Sequence, residues 1–231
     1  MKLSVIVPAF NEEKLLGTTL ACIREAASGL DSELIVCDNN STDRTAEIAR
    51  QAGAKVVFEP VNQISRARNA GAAAASGDWL LFVDADSFPD RALFADLADA
   101  ISGGQCIGGG ATVRFDSTDP TAMRMVSIWN AISRRMRWAA GSFVFCKAEA
   151  FRRLGGFSTE LFASEEIDFS RRLKRLGRLA ILERHPLRTS GRKLRLYSKR
   201  EFAGLLLRIM LSGGRTLRSR EACFAWYDGR R

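Results

Sequence analysis

Histidine occurs once, at His185, and the five cysteines, Cys22, Cys37, Cys106, Cys146 and Cys223, form no CxxC pair and no regular spacing. That scatter argues against a zinc site or a disulfide framework and fits a reducing compartment. Long apolar runs are lacking too. The most apolar window, Phe202 to Leu211, is ten residues long and contains Arg208, well short of the roughly 18 residues that suggest a membrane span. The first residues, MKLSVIVPAFNEEK, have a short apolar run broken by Pro8 and followed by acids, so no signal-peptide h-region is present. The expected location is cytoplasmic. There is no internal repeat or low-complexity linker. Neither zinc-finger spacing nor an RRM aromatic motif occurs, which argues against nucleic acid as the partner.

With 46% hydrophobic and 26% charged residues in 231, the composition is that of a globular protein, not of a disordered or fibrous one. At about 150 residues per domain, one large α/β domain with an extension is expected. The net charge of +9 points to an anionic partner: nucleic acid, acidic lipid or a phosphorylated small molecule. It is unevenly placed. Residues 1–170 carry 17 Lys+Arg and 22 Asp+Glu, whereas residues 171–231 carry 18 and 4, so all the excess basicity lies in the tail.

Short β-rich runs alternate with helical patterns in the first half, the signature of βαβ units and a mostly parallel sheet. Strands are expected at Leu3 to Val7, Glu33 to Cys37, Lys55 to Phe58 and Trp79 to Val83. Helices are expected at Glu12 to Ala27, Thr42 to Ala52 (capped by Ser41 or Thr42), Ile64 to Ser76 and from Pro89 and Asp90 to Ile101. The glycines at 103–110 read as a turn and weak strand. Thr121 to Trp138 reads as an amphipathic helix, followed by a strand at Ser142 to Cys146. Helices follow at Ala148 to Leu154 and Glu165 to Leu176, then a strand at Leu179 to Glu183 and a helix at Lys199 to Leu211.

Asp84-Ala85-Asp86 follows the strand Trp79 to Val83. In open α/β sheets ligands bind beyond the carboxyl ends of strands, and two carboxylates two residues apart can share a hard divalent cation that bridges diphosphate oxygens. A bare Asp-x-Asp is more often a solvated turn. Two other strands of the same sheet also end in polar residues, however. Asp38 is placed to accept hydrogen bonds from a ribose or base edge, or to form an Asx turn.

Taken together, Val5-Ile-Val-Pro-Ala-Phe-Asn-Glu-Glu13, Val36-Cys-Asp-Asn-Asn-Ser-Thr-Asp43, Ser65-Arg-Ala-Arg-Asn-Ala-Gly71, Ser76-Gly-Asp-Trp-Leu-Leu-Phe-Val-Asp-Ala-Asp86 and Leu154-Gly-Gly-Phe157 resemble the family 2 glycosyltransferases of GT-A fold. The resemblance implies a Rossmann-like, mixed, mostly parallel sheet flanked by helices over residues 1–190, with a donor half at about 1–103 and an acceptor half at 104–190. A basic helical extension would occupy 191–231. It also implies transfer of a sugar from a UDP- or GDP-type nucleotide-sugar donor, with Mn2+ or Mg2+ and inversion at the anomeric carbon, to a sugar, lipid-linked or envelope-polysaccharide acceptor. Pro8, Ala9, Phe10 and Glu12 would line the nucleotide pocket, with Ala85 beside it, and Asp38 would hold the base or ribose. Asp86 would be the principal metal ligand, and Asp84 would contact the ribose or the metal. Arg68 would either contact the donor or organise the site by pairing with Asp84 or Asp38.

Inversion needs a general base. The family's helix-opening Glu-Asp pair is Glu165-Glu166 here, and the base falls to Glu166, with Glu165 and Asp168 as its neighbours in that role. The bland alternative is a helix capped by Ser164 whose first-turn acids face the positive end of its dipole, each contributing ~0.3–1 kcal/mol. His185 is either a further metal ligand or a turn residue before Pro186. Thr189-Ser-Gly-Arg-Lys193 either closes over a diphosphate or is a basic loop. The acceptor pocket is expected from Cys106 to Trp138 and the tail. The stripe Phe202, Leu205, Leu206, Ile209 and Met210 either packs on the domain, rests peripherally on an anionic membrane surface, or forms a homodimer contact. A catalytically silent nucleotide-sugar binder and a basic anionic-surface binder are the competing functions.

Overall fold

The computed structural model describes residues 1–192, 201, 204, 208, 212 and 214–227. One eight-stranded sheet runs through it in the order β3-β2-β1-β4-β7-β6-β8-β5. In chain order the elements are β1 (Leu3–Ala9), α1 (Leu16–Ala26), β2 (Ser32–Asp38), α2 (Thr45–Gln51), β3 (Lys55–Phe58), α3 (Ile64–Ala73), β4 (Trp79–Val83) and β5 (Ser87–Phe88). There follow α4 (Arg91–Ser102), β6 (Gly108–Phe115), α5 (Pro120–Met136), β7 (Phe143–Lys147), α6 (Ala148–Arg153), α7 (Glu165–Leu173) and β8 (Leu179–Thr189).

Strands β1, β2 and β4 are near-continuous apolar runs because both faces of the sheet are covered. Alternate side chains go to opposite layers. Val5, Val7, Leu81 and Val83 join the layer containing α1 and α4. Ile6, Leu80 and Phe82 join a second layer with Phe151, Phe157 and Phe169. In that layer Phe157 packs on Phe82 at 5.0 Å and on Phe169 at 4.7 Å between ring centroids.

β1 lies between β2 and β4 and is parallel to both, so strand order reverses on either side of it and a crevice opens at their carboxyl ends. β7 is antiparallel to β4 and pairs Phe143 with Val83. The residues entering β7 therefore meet those leaving β4. This placement brings Ala9, Asp38, Asp84 and Gly141 to the same edge of the sheet.

Asp90 caps α4 through a 2.9 Å bond from the Leu93 amide. Asp90→Ala is expected to cost about 1 kcal/mol, measurable as a lower urea midpoint at unchanged slope.

Several local expectations change. The α2 amino end is bonded by Asp43, which accepts from Thr45 N at 3.0 Å, while Ser41 and Thr42 bond Asn11 instead. The glycines at 103–110 do form a turn and then a strand, but that strand, β6 from Gly108, is long and interior. Its glycines are required by close approach: a Cβ on Gly109 would lie 1.7 Å from the Ala180 carbonyl oxygen. β8 does not stop at Glu183. Its pairing with β6 jumps from Ala111↔Leu182 to Val113↔Leu187, so Glu183, Arg184, His185 and Pro186 form an outward bulge that accommodates the proline without a ladder bond. Ser164 does not cap α7 with its side chain; it adopts a left-handed conformation, φ 60°. The stripe from Phe202 to Met210 lies outside the described residues.

Candidate active site

Two adjoining cavities occupy the carboxyl edge of the sheet. The first, about 70 Å³, is lined by Pro8, Ala9, Phe10 and Glu12 after β1, by Asp84, Ala85 and Asp86 after β4, and by Asn39, Asn62, Ile64 and Tyr227. The second, about 420 Å³, shares Ile64, Asp84 and Asp86 with the first. It continues past Arg68, Gly141 and Glu166 to an apolar wall that includes Val113, Phe115, Met125, Val126 and Trp129. Those five apolar residues come from the segment expected to shape the acceptor pocket.

The acidic turn is pinned on three sides. Thr19 Oγ1 donates to the Ala85 carbonyl at 2.8 Å, Ser190 N donates to the Asp86 carbonyl at 3.0 Å and Ser87 N to the Asp84 carbonyl at 3.1 Å. Asp84 and Asp86 are thus held by backbone bonds that leave their carboxylates directed to the cavities.

Arg68 is the centre of the electrostatics. It is 1% exposed, and Nη1 donates to Glu165 Oε1 at 2.6 Å while Nη2 donates to Asp84 Oδ1 at 3.0 Å and to the Gly141 carbonyl at 2.9 Å. One guanidinium thereby joins α3, the end of β4, the entry to β7 and the start of α7, a use of forked geometry that lysine could not reproduce. Of the two partners suggested by the sequence, it is Asp84 and not Asp38 that it meets.

α3 also fixes the segment leading to α7. Asn69 accepts from Phe157 N and donates to the Phe157 carbonyl, both at 2.9 Å. Gln63 Nε2 donates to the carbonyls of Thr159 and Leu161 at 2.8 and 3.0 Å. This is why the Ser65 to Gly71 and Leu154 to Phe157 motifs occur together: one is the buttress of the other.

The three acids of α7 have different fates. Glu165 is buried, 3% exposed, and paired with Arg68. Asp168 turns away and pairs with Arg172 at 2.7 Å, lining neither cavity. Glu166 lines the second cavity. Burial, reinforced by the negative charge of Glu165 and by Asp84 and only partly offset by Arg68, pushes its carboxyl up to about 8. Glu165 lines that cavity as well, but its carboxylate is engaged by Arg68.

Glu12 meets Arg192, whose Nη2 donates to both carboxylate oxygens at 2.7 and 3.0 Å and lies 3.8 Å from Asp86 Oδ2. Arg192 Nε is buried with no bonding partner among the described residues. The polar segment at 189–192 thus reaches the acidic turn. Tyr227 also arrives from the C-terminal stretch: its hydroxyl accepts from Ile64 N at 3.4 Å, and its ring packs on Phe162 at 5.7 Å.

Some expected site residues fall elsewhere. Asp38 accepts from Ser41 N at 3.1 Å as an Asx-type turn, and it is Asn39 that lines the first cavity. His185 sits on the β8 bulge with Nδ1 3.0 Å from Asp96 Oδ2, lines neither cavity, and is not brought to Asp84 or Asp86. Asn39, Asn62, Ile64 and Tyr227 were not anticipated. Asn39 adjoins the motif at Asp38 and could have been found, whereas nothing near Tyr227 in the sequence marks it.

A divalent cation fits the acidic turn. Asp84 and Asp86 offer hard oxygen ligands, and no cluster of three or more His, Cys, Asp or Glu that could hold a metal is present among the described residues. The protein would therefore supply one or two carboxylates and leave the remaining positions to phosphate oxygens and water, a pattern suited to Mg2+ and compatible with Mn2+.

Known proteins resemble this chain in sequence and in fold. Over 119 residues the chain is 34% identical to a dolichol-phosphate mannosyltransferase of Pyrococcus furiosus, covering 48% of this chain and 33% of that relative's length. The fold matches residues 1–349 of S. aureus TarS in complex with UDP-GlcNAc, with TM-score 0.69, 21% identity and coverage of 83% of this chain and 59% of that one. It equally matches the mannosyltransferase PcManGT from Pyrobaculum calidifontis in complex with GDP-Man and Mn2+, with TM-score 0.69, 22% identity and coverage of 96% and 64%. The model of glycosyl transferase family 2 matches residues 4–156, the stretch that carries the crevice strands, the acidic turn and Arg68, and the chain belongs to that family.

Proposed function

We propose that this chain is a metal-dependent, inverting transferase that moves a sugar from a nucleoside-diphosphate sugar to an acceptor hydroxyl, with residues 1–103 holding the donor and 104–190 shaping the acceptor side. The observation that carries this reading is the placement of Glu166: a carboxyl of raised proton affinity on the wall of a large cavity that shares Asp84 and Asp86 with the smaller one at the end of β1.

In this reading the first cavity takes the nucleotide end of the donor and the second takes the sugar and acceptor. Asp86, with Asp84, would hold a divalent cation, which would supply positive charge beside the leaving diphosphate. Arg192, with an unused Nε donor beside the acidic turn, contacts a diphosphate oxygen. Glu166 takes the proton of the acceptor hydroxyl as its oxygen bonds to the anomeric carbon. The carbon–oxygen bond to the diphosphate breaks on the opposite side, and its electron pair leaves with the nucleoside diphosphate. Glu165 and Asp84 fix Arg68, which in turn fixes the carboxylate that must remain near Glu166.

UDP and GDP are the donor bases to test first, since TarS and PcManGT were crystallised with UDP-GlcNAc and GDP-Man respectively. The apolar wall of the second cavity supports an acceptor carried on an apolar chain, and a lipid-linked acceptor would agree with the name of the Pyrococcus furiosus relative.

Titration calorimetry with UDP, GDP, CDP and dTDP in the presence of Mn2+ tests the donor assignment. Binding of one nucleotide that depends on the cation and is lost in Asp86→Ala is the expected result. Absence of binding by all four would remove the donor reading. Cation-dependent binding without nucleoside diphosphate release from any matching sugar donor would leave a silent binder.

A further inference from the structure

α5 carries a surface that packing within the domain does not account for. Its inner side, with Ala122, Val126, Trp129 and Ser133, faces the protein, and Asn130 locks it to β6 by accepting from Val113 N at 3.0 Å and donating to the Val113 carbonyl at 2.8 Å. Beside that seam, Met125, Ile128, Ile132 and Met136 recur at helical spacing and remain 40–56% exposed. Together with Met123, five of the nine exposed large hydrophobic side chains among the described residues lie on this one helix. Apolar exposure concentrated in this way marks an interaction surface.

The charge around the stripe selects the partner. Every charged residue from Pro120 to Trp138 is an arginine: Arg124, Arg134, Arg135 and Arg137. At 100° per residue, Arg124 and Arg135 border the stripe on the side away from the domain. Arg171, whose guanidinium lies 4.7 Å from the Trp138 ring centroid, adds a cation at the end of the helix. An apolar band edged by arginines and free of acids is the pattern of a helix lying in the surface of an anionic bilayer. A purely apolar protein partner would leave those arginines facing a surface that offers them nothing.

We infer that α5 is a membrane-surface helix, seating Ile128, Ile132 and Met136 among lipid chains with Arg124 and Arg135 at anionic headgroups. Met125, Val126 and Trp129 belong both to this helix and to the wall of the second cavity. An acceptor anchored in the same leaflet would pass from the bilayer surface along the helix to Glu166. The route of the acceptor rests on the transferase reading above; the membrane contact itself does not.

Co-sedimentation of the full chain with vesicles of phosphatidylcholine alone or mixed with phosphatidylglycerol tests the surface. The wild type should bind the mixed vesicles, and should bind them far less at high salt or when phosphatidylglycerol is omitted. Ile128→Ser with Ile132→Ser should lower partitioning roughly tenfold or more, and Arg124→Gln with Arg135→Gln by about fivefold per arginine. Thermal unfolding and nucleotide calorimetry on the same variants should match the wild type, because none of the four residues lines a cavity. Wild-type protein that stays in the supernatant, or serine variants that bind as the wild type does, would overturn the inference. So would light scattering that shows a wild-type dimer made monomeric by the serine substitutions with vesicle binding unchanged, since the stripe would then be covered by a second copy. Failure of nucleotide binding in the wild type would count against the transferase reading alone.

Discussion

Arg68→Met is expected to destabilise the fold by about 3–5 kcal/mol, the effect of removing one member of a buried ion pair and leaving the other uncompensated. Glu165 is the residue left behind. It is 3% exposed, so its carboxylate cannot recover the lost interaction from water. The Gly141 carbonyl and Asp84 lose their donor at the same time. Urea unfolding should show a lower midpoint with little change in slope. The combination Arg68→Met with Glu165→Gln should be less destabilised than the sum of the two single variants, because the second change removes the stranded charge. Additive effects would mean that the two side chains are not coupled.

Glu166→Gln is expected to lower kcat by about 10²–10⁴, the range for loss of a positioned general base, while nucleotide affinity changes little. Activity of the wild type should rise with pH and level off above about 8, where burial and Glu165 have placed the Glu166 carboxyl; the residual activity of the variant should lack that limb. Stability should move in the opposite sense. The unfolded chain releases the Glu166 proton near its ordinary value of 4.5, whereas the folded chain retains it to about 8. Unfolding therefore releases a proton in this window, and stability falls as pH rises through it, by at most about 1.4 kcal/mol per pH unit. Below 4.5 both states are protonated and the effect is absent. In Glu166→Gln this contribution to the slope disappears, so a variant crippled in turnover should be more resistant to urea than the wild type at pH 8. A variant that kept both activity and slope would remove Glu166 from the mechanism.

The crevice strands were legible because they are buried on both faces, which forces near-continuous apolar runs at Leu3–Ala9 and Trp79–Val83, and because their polar ends interrupt those runs abruptly. The glycine run reads as a turn and weak strand, and β6 is indeed a strand there, but a long interior one. Glycine ordinarily weakens a strand, but here neighbouring backbones approach so closely that nothing larger fits at Gly109. β8 was cut short because Pro186 ends most strands; the bulge that admits it is set by the partner β6, which local sequence does not reveal. In the site, chain-local acids were readable, including the fact that Glu165, Glu166 and Asp168 share one turn. Which of them is buried, paired outward or aimed into a cavity depends on Arg68 and Arg172, and so on packing. The family resemblance suggested His185 as a metal ligand, whereas in the fold it pairs with Asp96 on α4.

Tyr227 closes a cavity whose other lining residues lie between Pro8 and Asp86, more than a hundred residues earlier in the chain, and Arg192 bonds Glu12 of that lining. As the polypeptide emerges from a ribosome, amino end first, the acidic turn exists long before its last neighbours do. A ligand of that cavity stabilises only the states it can bind, so its full contribution arrives after residue 227 is in place. The same molecule would protect the finished fold from proteolysis and do little for a nascent chain.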